Sequence, residues 1–286
     1  MVDWPVTFRC NNNCISCISN TSLSEGRGDP PWEQIKFVID TVDQKKDYLG
    51  ISGGEPTLRN ELFNILSYAR ERHPDLYIFI VSNGRMFSYM EYAKKLAGLG
   101  LDNFMVGIAL YGPDAGIHDS ITRSAGSFAQ TVQGIKNLLE LGIPVEIRVV
   151  INRLNYTALD MIAAFVVREF PSASRMVFLN MKMTGNAYIN RDSVMVKIKE
   201  TVPHAEKAIG ALSGSGIEAR LYHFPLCTIP ESLWGAAAGV TKTDPGELRF
   251  VDTCAQCDVK DRCSMIWSTY VGLAGDGEFH AVKRRP

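Results

Sequence analysis

The chain has 286 residues, 46% of them hydrophobic and 21% charged, with a formal net charge of -1. These proportions fit one large α/β domain, or one such domain with a small appendage. The near-zero charge argues against a general nucleic-acid binder, which needs a basic surface to neutralise phosphates. The Lys283-Arg284-Arg285 end reads as a solvated basic terminus rather than a nucleic-acid hook. Met1-Val2-Asp3-Trp4-Pro5 has no basic stretch followed by an apolar run, so no signal peptide is expected. No apolar stretch approaches the ~18 residues of a membrane helix, and the expected location is the cytoplasm. Seven cysteines there point to metal or redox chemistry rather than disulfides, because the cytosol keeps thiols reduced.

Strand-like runs alternate with helical patterns, as in βαβ units. Val6 to Arg9 is the first strand. Trp32, Ile35, Val38, Ile39 and Val42 then fall at helical spacing behind Pro31. Tyr48 to Ser52 is a strand, and Leu62, Ile65, Leu66 and Ala69 mark a helix ended by Pro74. Leu76 to Val81 is a continuous apolar run of the kind found in buried parallel strands. A helix from Met86 to Leu99 precedes a strand at Phe104 to Leu110. Phe128, Val132, Ile135 and Leu139 form the next helical stripe, with Gly142 past its end. Val145 to Ile151 is a strand, Ala158 to Phe170 a helix, Met176 to Met183 a sixth strand, and Val194 to Leu212 a helix. Six such units predict an α/β fold, a partial (β/α)6 TIM-like barrel over residues 1–213.

Strand parity adds a prediction about faces, since successive side chains point to opposite sides of a sheet. Met105, Gly107 and Ala109 share one face of the fourth strand, and Glu146, Arg148 and Val150 one face of the fifth. Phe178, Asn180 and Lys182 share one face of the sixth. These small or polar faces are expected to line a concave interior, with the apolar faces under the helices. From about Gly214, Gly, Pro and Ala become frequent and four cysteines appear. Residues 214–286 are therefore expected to form a small metal-stapled module, too loop-rich to bury a core of its own.

Cys10, Cys14 and Cys17 form a C-x3-C-x2-C loop after the first strand. Three thiolates there can hold three irons of a [4Fe–4S] cube, leaving the fourth iron open for chemistry; a zinc site is the competing reading. "ISGGEPTL" (51–58) follows the second strand. Gly53 and Gly54 permit a sharp turn and a close backbone approach to a ligand, and Glu55 can accept hydrogen bonds from an ammonium group. "VSNG" (81–84) ends the third strand with Ser82 and Asn83.

In this order the motifs resemble the radical S-adenosylmethionine (SAM) superfamily over about residues 4–190. The resemblance implies a [4Fe–4S] cluster on Cys10, Cys14 and Cys17 whose open iron chelates SAM, with the Gly53-Gly54-Glu55 turn holding the methionine ammonium. It also implies reductive cleavage of SAM to a 5′-deoxyadenosyl radical that takes hydrogen from a substrate. Ser16 departs from the family pattern, in which an aromatic residue packs on the adenine, and Ala109 stands where many relatives have serine. Arg123 and Arg148 are candidates for the SAM carboxylate, since guanidinium pairs with carboxylate bidentately; the bland reading of each is an ion pair, and the inferred inward face favours Arg148. His118 and Asp119 suit either the substrate side or helix capping.

In the tail, Cys254, Cys257 and Cys263 follow a C-x2-C-x5-C pattern that resembles the auxiliary-cluster segment of SPASM and shorter twitch extensions. Trp267 occupies the place of a further SPASM cysteine. With Cys227 these three would hold one auxiliary [4Fe–4S] cluster; the competing readings are a four-cysteine zinc ribbon and Cys227 as a free hydrogen donor. "HDSITRSAGSFAQT", "VEIRVVI", "MKMTG" and the tail look closest to C-type maturases of the His-Xaa-Ser peptide system. This implies a ribosomally made peptide as substrate and an external electron donor of flavodoxin or ferredoxin type. The near-immediate first strand suggests that no separate N-terminal peptide-recognition domain is present. The alternatives are a radical epimerase or dehydrogenase of a small molecule such as a sugar or aminoglycoside, and a non-catalytic iron–sulfur electron-transfer or zinc-binding protein.

Overall fold

The computed structural model describes residues 2–19, 28–43, 45, 48–237 and 246–283. Seven parallel strands run side by side in chain order: β1 (Val2–Thr7), β2 (Leu49–Gly53), β3 (Ile78–Ser82), β4 (Phe104–Ala109), β5 (Val145–Ile151), β6 (Arg175–Asn180) and β7 (Glu218–Tyr222). Helices α1 (Trp32–Asp40), α2 (Leu62–Arg72), α3 (Met90–Ala97), α4 (Ala115–Thr122), α5 (Ser127–Glu140) and α6 (Leu159–Glu169) fill the crossovers between β1 and β6. Two short helices, α7 (Gly185–Ile189) and α8 (Arg191–Val194), precede the longer α9 (Ile198–Leu212), which leads into β7. The expected 86–99 helix is divided: Arg85–Ser88 is a 3-10 turn and Tyr89 is extended before α3 starts.

The order of strands is that of an open partial barrel. One face of the sheet is the core: Val106, Ile108, Val145, Ile147 and Val149 are completely buried and pack in a single cluster with Ile65, Ile135 and Ile162 from the covering helices. The opposite face of β4 and β5 carries Met105, Gly107 and Ala109, then Glu146, Arg148 and Val150, as strand parity requires.

Two expectations are corrected. The sheet has seven strands rather than six, the last lying beyond the expected boundary at residue 213; its Glu218-Ala219-Arg220-Leu221 alternation is that of a strand with one apolar face. The faces of β6 are the reverse of those expected. Register places Met176 beside Ile147 and Phe178 beside Val149, so Phe178 and Asn180 share the helix-covered side. Arg175, Val177 and Leu179 point to the concave side, where Arg175 pairs with Glu146. Met176 to Met183 is apolar at both parities, so alternation could not fix its orientation. Lys182 lies beyond the strand and pairs with Glu247.

The tail is built from short pieces: 3-10 turns at Leu226–Thr228, Asp252–Gln256 and Lys260–Arg262, helix α10 (Trp234–Ala237), the two-residue strands β8 (Leu248–Arg249) and β9 (Ile266–Trp267), and helix α11 (Ser268–Ala274). Of the basic terminus, Lys283 approaches Asp258 at 3.6 Å, while Arg284 and Arg285 lie outside the described residues. No described helix is long and apolar enough to cross a membrane.

Candidate active site

The three-cysteine loop leaves β1 at the end of the sheet where β2, β3 and β4 also end. Its shape is fixed by backbone hydrogen bonds. Gly54 N and Glu55 N donate to the carbonyls of Thr7 and Arg9, both at 2.8 Å. Gly53 has φ +136°, and a Cβ at Gly53 or Gly54 would overlap those same carbonyls. What the two glycines admit here is the chain's own loop. From the α4 side, Asn13 N and Ile15 N donate to Thr122 O (3.0 Å) and Ile121 O (2.8 Å). From β6–α7, Ala187 N donates to Cys17 O (3.0 Å), Asn186 Nδ2 to Cys14 O (3.1 Å) and Thr184 Oγ1 to Ile18 O (2.9 Å).

Cys10, Cys14 and Cys17 are free thiols. Burial pushes the Cys14 thiol up to about 12, reinforced by the negative charge that Cys17 and Cys10 would carry. Cys10 is pushed up to about 11, again chiefly by burial, with Glu55 and Cys17 adding to it. The three thiols sit on one short loop, and that loop is pinned to Glu55 through the Glu55 N to Arg9 O bond. Among the described residues no three His, Cys, Asp or Glu side chains are grouped as ligands of a single metal ion. Three soft sulfur donors on one loop suit iron–sulfur ligation, in which the cluster rather than one atom spans the thiolates.

Glu55 is 1% exposed. Its Oε1 accepts from Thr57 N (3.1 Å), Thr57 Oγ1 (2.6 Å) and Ser82 Oγ (2.8 Å), and its Oε2 from Asn83 N (2.6 Å). Burial raises its pKa despite these donors. Ser82 and Asn83 therefore face Glu55, and Asn83 Nδ2 also reaches Asn11 Oδ1 at 2.6 Å. Ser16 is 4% exposed, and its hydroxyl is buried with no hydrogen-bond partner.

The two arginines occupy different surroundings. Arg123, exposed and left-handed (φ 52°), ends α4 and donates to Asn190 Oδ1 at 3.2 Å; Asn190 Nδ2 in turn donates to Ile15 O at 3.3 Å. Arg148 does face inward, over the Phe79 ring (5.4 Å to the centroid), and is ion-paired with Glu146. Gly107 leaves the room that both Phe79 and Arg148 occupy. Asp119 caps α5, accepting from Gly126 N (2.8 Å), Ser127 Oγ (2.8 Å) and Phe128 N (2.7 Å). Burial opposes ionisation there, but these bonds outweigh it and lower the pKa. His118 is buried, its Nδ1 accepting from Tyr111 N at 3.2 Å.

Sequence reasoning missed the residues that clamp the loop. Arg85 Nη1 bonds Asn11 O and Asn12 Oδ1 (2.7 Å), and its Nε bonds Gln130 Oε1 (2.6 Å). Asn186 and Asn190 do the same from the other side. The available signals were position alone: Arg85 directly follows "VSNG" and Asn186 follows "MKMTG".

In the tail, Cys227, Cys254, Cys257 and Cys263 line one cavity with Pro225, Phe250 and His280. All four are free thiols. Burial raises Cys263, with Cys254 and Cys257 adding to it, and raises Cys227, with Cys263 and Cys254 adding.

Residues 4–166 match the model of the radical SAM superfamily. The mycofactocin maturase MftC of Mycolicibacterium smegmatis is 34% identical over 170 residues, 58% of this chain and 41% of that protein. The Fe-coproporphyrin III synthase of Methanosarcina barkeri is 30% identical over 210 residues, 73% of this chain and 49% of that protein. The chain thus spans less than half the length of these relatives. In fold, it superposes on Streptococcus suis SuiB bound to precursor peptide SuiA with a TM-score of 0.59 at 16% identity, over 73% of this chain and 45% of that one. The matched segment covers more than half of the 286 residues and contains the three-cysteine loop, the Glu55 turn and the Ser82-Asn83 turn, so the chain belongs to the radical SAM superfamily.

Proposed function

We propose that this chain cleaves SAM reductively and modifies a ribosomally made peptide, by cross-linking or oxidation. The observation that carries the reading is that Cys10, Cys14 and Cys17 lie on one loop bonded to the Gly54-Glu55 turn at the C-terminal ends of the strands. A reduced [4Fe–4S] cluster on those thiolates would supply the electron that splits SAM into methionine and a 5′-deoxyadenosyl radical. The chain's own part is positioning. Glu55, fixed by Thr57, Ser82 and Asn83, suits the SAM ammonium, and the unpartnered Ser16 hydroxyl offers the adenine side a polar contact in place of an aromatic one. Arg123 has no acidic partner among the described residues, whereas Arg148 already neutralises Glu146. That favours Arg123 for the SAM carboxylate.

The shared cavity supports Cys227 as fourth ligand, with Cys254, Cys257 and Cys263, of an auxiliary [4Fe–4S] cluster, rather than as a free hydrogen donor. The peptide substrate rests on the maturase relatives; the haem-type synthase keeps a small-molecule substrate as the second reading. A cytoplasmic setting with a flavodoxin or ferredoxin as electron donor completes the proposal. Anaerobic reconstitution is expected to load about eight irons per chain and, with reductant and SAM, to release 5′-deoxyadenosine. Cys10→Ala abolishes release, while Cys254→Ala lowers iron to about four and leaves release measurable. An iron-replete protein that never yields 5′-deoxyadenosine, with or without peptides encoded beside its gene, defeats the proposal.

A further inference from the structure

Of the seven large apolar side chains that stand exposed among the described residues, three belong to one region beside the cysteine loop: Ile18 (54% exposed), Tyr188 (49%) and Ile189 (60%). Phe37, Tyr89 and Met161 stand singly, on or beside α1, α3 and α6. Main-chain contacts bring the two segments together. Ile18 O accepts from Thr184 Oγ1 at 2.9 Å, Ser19 O from Asn186 N at 3.4 Å, and Cys17 O from Ala187 N at 3.0 Å. A Cβ at Gly185 would lie 2.5 Å from Ile18 O, so glycine is what lets α7 approach this closely. The loop and α7 thus meet through their backbones, and Ile18, Tyr188 and Ile189 are left to solvent. Arginines border them. The Arg191 guanidinium lies 5.2 Å from the centre of the Tyr188 ring. Arg153 Nε donates to Met195 O at 2.8 Å, just past α8. Asp192, 4.0 Å from Arg191, is the only acidic residue between Thr184 and Met195.

Single exposed apolar side chains are ordinary, but a group of them rimmed by charge marks a docking surface. Its size selects the kind of partner. A stable interface takes about 20–30 residues a side, whereas electron-transfer encounters sit at the small end of the range. Its charge selects further. The redox group of a small reductant protein is itself an anion, whether a flavin phosphate or an iron–sulfur cluster on four thiolates, and opposite charge steers the encounter. Its place agrees with both, because α7 is bonded to the backbone of the cysteine loop itself. Assuming the proposed cluster on that loop, we propose that Ile18, Tyr188 and Ile189, bordered by Arg191 and Arg153, dock a small acidic electron-transfer protein. One electron passes from the docked protein, which is oxidised, to the cluster, which is reduced, and no covalent bond changes.

The test combines Ile189→Glu with Arg191→Glu in the anaerobically reconstituted full chain, with a flavodoxin as the probe. Calorimetry is expected to show flavodoxin binding weakened by about tenfold or more. Release of 5′-deoxyadenosine driven by reduced flavodoxin falls by a similar factor, while release driven by dithionite, which needs no docking, is unchanged. Met161→Glu, which puts a charge at an exposed apolar site on α6, changes neither. Unaltered binding together with an unaltered flavodoxin-driven rate overturns the proposal. A variant whose KM for peptide rises under dithionite while flavodoxin binding stands also overturns it, and gives the surface to the substrate. So does a wild-type self-association that the variant loses, which gives it to a second copy. Should the double variant hold less iron, Arg191→Glu alone must weaken flavodoxin binding about threefold, and an unchanged value there overturns the proposal equally. Failure of the underlying cluster assignment is recognised separately, as wild-type protein that releases no 5′-deoxyadenosine even with dithionite.

Discussion

The two cysteine sets are built on opposite plans. The N-terminal loop has little regular structure, yet its backbone is bonded from four places: the Gly54-Glu55 turn, Arg85, the end of α4, and the Thr184–Asn190 segment. Some of these bonds join residues more than 170 positions apart. In the tail the bonds around the cysteines are local: Cys254 N to Val251 O, Cys257 N to Cys254 O, and Cys263 N to Lys260 O. Its hydrogen bonds to the barrel include Trp267 Nε1 to Asn180 O (3.3 Å), Ile198 N to Tyr270 Oη (2.9 Å) and Lys199 N to Glu278 Oε1 (3.1 Å), and its apolar side chains, Leu248, Val251, Cys254 and Ile266 among them, pack in the barrel's own core cluster. A loop that the protein itself shapes is ready to receive a cofactor. The tail's cysteine-bearing turns are held by short-range bonds alone, so a metal on the four thiols would add the cross-links between them.

Iron removal tests that contrast most severely. Chelation is expected to leave the barrel's cooperative unfolding intact and to open the tail, raising the rate of protease cleavage within residues 246–283 by at least about a hundredfold. Limited proteolysis with mass spectrometry reads it. Cleavage appearing equally in residues 8–19 would break the comparison, because it would mean that the N-terminal loop also owes its shape to iron.

Acid probes the two regions through one buried histidine each. His118 lies under the N-terminal loop, where burial pushes its pKa down to about 4. His223, left-handed at φ 61° and packed at a tilt against Trp267 with 4.2 Å between ring centroids, sits where the tail meets the sheet. It too is pushed down to about 4, by burial and then by Arg148 and Lys182. Both are neutral when folded and protonate near 6.5 when unfolded. Each therefore contributes stability that is fully present above pH 6.5 and is lost as pH falls toward 4, about 3 kcal/mol apiece. Urea unfolding between pH 7 and 4.5 is expected to show this slope. His118→Gln should flatten it for the barrel, and His223→Gln for the junction with the tail. A slope that neither variant changes would assign the acid sensitivity to carboxylates instead.

What could be read from the sequence follows from which forces leave a periodic trace. β5 falls at the expected residues, and α1 begins at Trp32, because burial imprints a period of two or 3.6. The cysteine spacing and the Gly53-Gly54-Glu55 turn were visible as motifs. The faces of β6 were misread because its apolar residues occupy both parities, and β7 was hidden by the loop-like composition around it. Arg85 and Asn186 had no periodic trace at all. They act through side-chain hydrogen bonds to residues far away in sequence, and fold topology alone brings such partners together.

The smallest effect sharpens the comparison furthest. Asn186→Ala removes the Nδ2 bond to Cys14 O and keeps the helix backbone, including Ala187 N to Cys17 O. One such bond contributes about 1 kcal/mol, which for a chain of this size lowers the melting temperature by about 2–4 °C. Because the carbonyl it releases belongs to a proposed ligand, the cost should fall on the N-terminal cluster alone. Reconstitution of the SAM-responsive signal slows, while the iron held by the tail cysteines is unchanged. Equal loss at both clusters would mean that the loop and the tail are assembled as one unit, and that the independence inferred from their hydrogen bonds does not hold.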